Sequence, residues 1–128
     1  MSFAFNDDKS KLSLDLVDGS DDVTFGSGLN VYSGTTLFRV GDVVTFCFNA
    51  NVTDVSNVSI RVPFDFRPKR NMNYMVPVYI VKGSGSSIEH VINAGSLDTI
   101  GDLNLSTYPA LANGDDIWCQ VTYICNQS

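Results

Sequence analysis

The run Leu37-Phe-Arg-Val-Gly-Asp-Val-Val-Thr-Phe-Cys-Phe-Asn-Ala-Asn-Val52 decides the fold, and Val58-Ser-Ile-Arg-Val-Pro-Phe-Asp-Phe-Arg-Pro68 continues it after a short break. Gly41-Asp42 stands between two segments rich in β-branched and aromatic residues, where a tight reversal of the backbone uses such a pair. Leu37–Val40 and Val43–Phe48 therefore read as a hairpin. Beyond the turn, Val44, Phe46 and Phe48 alternate with Thr45, Cys47 and Asn49, so one face is large and apolar and the other small or polar. That pattern predicts a sheet packed on one side.

Val62-Pro-Phe-Asp-Phe-Arg-Pro68 is not ordinary strand. Pro63 and Pro68 cannot donate to a ladder, and each pushes the preceding residue into extended geometry, so the run leaves the sheet or lies on its edge. Here the chain resembles the tip domains of bacteriophage tail fibres and baseplate receptor-binding proteins. In that family a strand with a glycine and alternating apolar residues leads into a turn of valine or leucine, proline, any residue, often a glycine, then an aromatic, arginine and proline. Gly41, Val43 and Thr45 fit the strand, Pro63, Phe66, Arg67 and Pro68 fit the turn, and Ile92-Asn-Ala-Gly-Ser-Leu97 is similar to a late strand pair of the family. Residues 29–125 carry the likeness. Asp65 departs from it, standing where the family often has glycine. Arg67 of such a rigid turn is expected to pair with a carboxylate or a backbone carbonyl.

A chain of 128 residues suffices for one core and is short for two domains. Its 44% hydrophobic and 11% aromatic content suits a globular sheet protein rather than a disordered one. A net charge of −6 argues against nucleic acid as a partner, because phosphate binding relies on clustered Lys and Arg. The longest basic cluster, Arg67-Pro-Lys-Arg70, reads as a solvated turn. No stretch is long and apolar enough to cross a membrane, and Met1–Asp8 lacks the pattern of a secretory leader. The triplets at Asn51, Asn57, Asn104 and Asn126 match the glycosylation pattern at the frequency expected in a chain rich in Asn, Ser and Thr.

Cys47, Cys119 and Cys125 make an odd count. On one strand, Cys119 and Cys125 would share a face about 20 Å apart, too far for a disulfide. The thiols are expected to be reduced or buried. With His90 the sole histidine and no C-x-x-C pair, no metal site and no cofactor is expected.

Along the chain, residues 1–11 read as a tail, the place where a fibre shaft would join, and residues 12–128 as the β domain. Leu12, Leu14 and Leu16 alternate as a first strand closed by a turn at Asp18–Asp22. Val23–Phe25 and Leu29–Tyr32 are short strands. Met72–Lys82 is the most apolar segment, and Pro77 within it predicts an edge or bulge position. Gly83–Ser87 reads as a loop, Ile88–Ala94 as a strand that Gly95 divides from Leu97–Ile100, and Asp116–Cys125 as the closing strand. About nine short strands with frequent turns predict an all-β fold, an antiparallel β-sandwich or jelly roll in one domain.

The sequence shows no nucleophile beside a base and no glycine elbow or serine motif near His90, so an enzyme is not expected. Asp21-Asp22 and Asp115-Asp116 fall in turns, where Asx side chains bond local backbone, and no EF-hand spacing is present. Sugar binding asks for aromatic faces with a few polar donors and acceptors, for which Tyr74, Tyr79, Tyr123, Trp118, His90, Asp98 and Asp102 are the available types. His90, Asp98, Asp102 and Trp118 are the candidate saccharide contacts; Trp118 faces away from Ile117 and Cys119, on the side of Gln120 and Thr122.

The resemblance implies a receptor-binding domain of a phage tail that recognises a bacterial cell-surface saccharide. It would be made in the host cytoplasm, carried on the virion beside other tail proteins, and trimeric through Trp118, Val121 or Tyr123. A virion structural or decoration module without saccharide binding is the alternative. A glycan depolymerase would need a carboxylate pair at glycosidase distance, which the sequence does not show.

Overall fold

A computed structural model describes residues 16–69, 74–83 and 89–125. The expected tail over residues 1–11 lies outside them, as do Leu12, Leu14, Arg70, Met72, Ile88 and Asn126. The strands in chain order are β1 (Leu16–Asp18), β2 (Thr24–Phe25), β3 (Leu29–Val31), β4 (Thr36–Val40), β5 (Val43–Val52), β6 (Ile60–Arg61), β7 (Tyr74–Lys82), β8 (Glu89–Leu97), β9 (Leu103–Asn104) and β10 (Asp116–Ile124). Among the described residues the only helical pieces are 3-10 turns at Ser20–Asp22 and Phe64–Phe66. The fold is all-β, and no helix of the described residues is long and apolar enough to cross a membrane.

The hairpin forms where expected. Val40 pairs with Val43, and Gly41 supplies the positive φ of 61° that the reversal needs. From that hairpin an antiparallel sheet of eight strands grows in the order β1-β4-β5-β10-β7-β8-β9. β3 joins the free end of β5, pairing Leu29 with Val52, while β4 occupies the other end. A separate pair, β2 with β6, lies off this sheet. The long sheet is curled, and the buried apolar residues form one core cluster.

Alternation accounts for that core. Val44, Phe46, Phe48, Ala50 and Val52 of β5 are buried, as are Val76, Val78 and Ile80 of β7 and Ile117, Cys119 and Tyr123 of β10. Phe48 meets Phe25 and Phe46 with ring centroids 5.3 Å away in each case. Each such ring removed from water contributes roughly 1.5–3 kcal/mol. Tyr123, expected at an interface between copies, instead lies inside, where its hydroxyl donates to the Phe66 carbonyl at 2.5 Å. Burial pushes that phenol's pKa up.

β7 is an inner strand, between β10 and β8, yet Pro77 itself stands at a local edge of the sheet, as expected. The β10 ladder ends at the pair Cys119–Val78, one residue short of Pro77, so beyond that point β7 has only β8 alongside it. Gly95 does not divide a strand, because β8 runs unbroken from Glu89 to Leu97. A Cβ there would sit 3.0 Å from the Val76 carbonyl oxygen and 3.2 Å from that of Asn104, so the glycine lets β7 and β9 approach.

The proline run leaves the sheet as expected. Pro63 is extended, Phe64–Phe66 makes a 3-10 turn with Phe66 buried, and Pro68 rejoins the fold by bridging to Cys125. Arg67 pairs with a backbone carbonyl, its Nε donating to Phe64 at 3.1 Å. None of the three cysteines forms a disulfide; Cys119 and Cys125 are buried, while Cys47 is half-buried on the other face. Burial pushes the Cys119 thiol up to about 12.

Candidate functional site

The pleat that buries one side of β5, β10 and β7 turns the other side outward. Register places Asn49, Trp118, Tyr79 and Ile92 in one row across β5, β10, β7 and β8. The adjoining row holds Asn51, Asp116, Val81 and His90. Trp118 is 48% exposed, Ile92 61% and Met75 72%, an unusual concentration of large apolar groups on an outer face.

At the centre stands Tyr79. Its ring centroid lies 6.0 Å from that of Trp118 and 5.3 Å from that of His90, and its hydroxyl shares a hydrogen bond with His90 Nδ1. Beside these rings is a shallow depression of about 350 Å³ lined by Tyr79, Trp118, Asn49, Gln120, Cys47 and Pro77. No charged side chain lines it. Asp116, in the adjoining row, is occupied by Tyr32 Oη and Asn51 Nδ2, each at 2.9 Å. The bond to Asp116 pushes the Tyr32 phenol's pKa up. Flat aromatic surface with flanking amides suits the apolar face of a sugar ring, its hydroxyls reaching Asn49 and Gln120.

Of the four sequence candidates, His90 and Trp118 come together through Tyr79. Asp98 and Asp102 do not join them. Asp98 lies eight residues beyond His90 at the far end of β8, roughly 26 Å along a strand. Its Oδ1 accepts from Ile100 N at 3.1 Å and Asp102 N at 3.0 Å, and its Oδ2 accepts from Asn104 Nδ2 at 2.9 Å. Asp102 takes a forked pair of bonds from Arg61, Nε at 2.5 Å and Nη2 at 2.9 Å. That hydrogen bonding holds the Asp102 carboxyl below the usual aspartate range against the opposing effect of burial, with the guanidinium charge adding to the lowering.

Gly41, Pro63, Phe66, Arg67 and Pro68 all sit in the β4–β5 turn or the proline run and shape those segments. Sequence reasoning passed over Asn49 and Gln120 and did not single out Tyr79. Their outward phase was readable from alternation, but the register that sets Tyr79 beside Trp118 was not. The buried ion pair between Lys82 Nζ and Asp115, 2.6 Å apart, was also missed. Among the described residues no group of three or more His, Cys, Asp or Glu could hold a metal ion.

Comparison of the chain with protein-family models, with curated proteins and with solved structures finds no match in any of the three.

Proposed function

We propose that this chain is a non-enzymatic adhesion module that binds a bacterial cell-surface saccharide on the Tyr79–Trp118 shelf, as the trimeric receptor-binding tip of a phage tail. The observation that carries the binding reading is the exposed Trp118 ring beside the half-buried Tyr79 ring, flanked by Asn49 and Gln120 at an uncharged depression. A neutral sugar ring can stack there and lose little hydration of charged groups. The tail-tip assignment is supported by the likeness of the Val62–Pro68 run and its approach strand. A shallow site buries little ligand, so affinity per site is modest and avidity between copies supplies the rest.

A second reading has one observation in its favour. Met75 and Ile92 carry the apolar surface beyond the depression, as contact with another virion protein would require. Glycan-array binding and adsorption to intact cells, compared between wild type and Trp118→Ala, separate the two. Selective saccharide binding that falls at least about tenfold in the variant supports adhesion, and tenfold corresponds to about 1.4 kcal/mol. Absence of any selective saccharide, with folding intact, favours the structural module.

A further inference from the structure

A second depression, of about 390 Å³, opens where the Asp98–Asp102 turn docks on the proline run; its walls include Arg61, Arg67, Phe64, Ile100 and Thr24. It is remote from the shelf. Pro68 bridges to Cys125, seven residues beyond Trp118, or roughly 23 Å at strand rise.

Arg67 is unusually placed. Its guanidinium carbon lies 3.7 Å from the centroid of the exposed Phe64 ring, and its Nε is tied to the Phe64 carbonyl at 3.1 Å. Stacking fixes the plane of the fork, and the Nε bond fixes its rotation within that plane. Its two terminal nitrogens have no acceptor among the described residues. The chain carries fourteen Asp and Glu against eight Lys and Arg, yet none of the described carboxylates pairs with this cation.

The neighbouring wall is also built. Asp98 holds the turn from inside, Gly101 adopts φ +94°, and the Gly101 carbonyl accepts from Val62 N at 2.9 Å. A Cβ at Gly101 would lie 3.0 Å from the Val62 oxygen and 3.3 Å from Arg67 Cγ, so the turn presses on the arginine stem. Asp102 engages Nε and Nη2 of Arg61, leaving Nη1 without an acceptor among the described residues.

We propose that this depression is an oxyanion site, taking the carboxylate or phosphate group of a small sugar-like ligand end-on to the terminal nitrogens of Arg67. A fixed guanidinium fork matches two oxygens of such a group. Arg61 lines the same depression and adds positive charge, and Phe64 and Ile100 offer apolar surface to the ligand body. The site stands independently of the aromatic shelf.

The test is a ¹⁵N-resolved NMR titration of wild type, Arg67→Gln and Arg67→Lys at low ionic strength with glucuronate, glucose 6-phosphate and glucose. In wild type, either or both anions shift the Ile100 and Gly101 amides and the Arg67 Nε–Hε signal saturably, and glucose does not. Arg67→Gln abolishes the shifts, and Arg67→Lys, which keeps charge but loses the fork, weakens binding by about fivefold or more. A response to the carboxylate alone or the phosphate alone identifies which oxyanion the site takes. The proposal is overturned if neither anion gives a saturable shift, if glucose shifts the same signals equally, or if Arg67→Gln binds as wild type does. Should Arg67→Gln lose its dispersed spectrum, Arg67→Lys decides, and an unchanged affinity there overturns the site.

Discussion

The turns at residues 98–104 and 110–116 and the open face around Trp118 use the same kinds of side chain in opposite ways. In the turns every carboxylate that looked available is consumed internally: Asp98 by two backbone amides and an asparagine, Asp102 by Arg61, Asp115 by Lys82, Gly83 and Ala112. On the face, the half-exposed Trp118 ring is tilted 59° against that of Tyr79, and the exposed Gln120 and Asn49 line the depression beside them. A group able to bind a ligand is one whose bonding capacity the fold has not already used. Residue type alone does not reveal that, and the two regions should therefore separate cleanly under mutation.

The largest effect is expected at Asp115, whose carboxylate is buried and accepts from Lys82 Nζ at 2.6 Å and Ala112 N at 2.8 Å. Removing one member of a buried pair strands the other, a change that destabilises by about 3 kcal/mol at the lower end of the usual range, since Lys82 can partly reach water. Urea unfolding of Asp115→Ala should show that loss, while saccharide binding by the fraction that stays folded is unchanged. A loss below about 1 kcal/mol would mean that this turn is not the internally satisfied region described above.

Asp98→Ala follows, at about 1–3 kcal/mol, because it leaves the Ile100 and Asp102 amides without their acceptor. Asp98→Asn keeps a carbonyl acceptor and should recover part of it. The Arg61–Asp102 pair is half in solvent and contributes less, but it leaves a signature in pH. Because the folded-state carboxyl lies below the ordinary value of 3.8, its contribution is fully present above that value and is lost as pH falls through the lower, folded-state pKa. In acid titrations followed by circular dichroism, Asp102→Asn should remove this part of the acid destabilisation and leave stability from pH 5 to 8 flat relative to wild type. A wild-type-shaped acid limb in the variant would assign it to other carboxylates.

Much of the architecture was legible because period-two alternation is local. The hairpin at Gly41, the inward run Val44–Phe46–Phe48 and the outward phase of Trp118 all follow from neighbours along the chain. What depended on pairing between distant strands was not legible. Pro77 predicted an edge, but that β7 is an inner strand whose β10 ladder stops at Val78, one residue short of the proline, depends on a distant partner. Tyr123 looked like interface material because the 3-10 turn that receives its hydroxyl lies 57 residues away. The candidate site split for the same reason: Asp98 and His90 lie on one short stretch of sequence but at opposite ends of β8, whereas Tyr79 and Trp118, distant in sequence, are direct neighbours.

Pro63 gives a smaller and sharper effect. It precedes the 3-10 turn with φ −67° and ψ 164°, a geometry proline holds without strain. Pro63→Ala therefore acts mainly by freeing the unfolded chain and should lower stability by roughly 0.5–1 kcal/mol. An unchanged melting temperature would show that the run is held by the buried Phe66 and not by its proline.

The smallest stability effect is expected on the shelf, where it is also the most informative. Trp118 is 48% exposed and lies across from Tyr79 on β7 and Asn49 on β5, so replacing it removes one cross-strand aromatic contact and little buried area. Such contacts contribute roughly 0.2–1 kcal/mol. Trp118→Thr replaces one strand-favouring residue by another, aromatic by β-branched, and so preserves strand preference, which Trp118→Ala does not. The threonine variant should therefore leave the unfolding midpoint within a fraction of a kcal/mol of wild type while removing the stacking surface from the depression. A large aromatic side chain that the fold barely needs, in the middle of an otherwise well-used strand, is what a binding face requires. If Trp118→Thr instead unfolds as readily as Asp98→Ala, the indole is a structural element of the sheet and the contrast between the two regions fails.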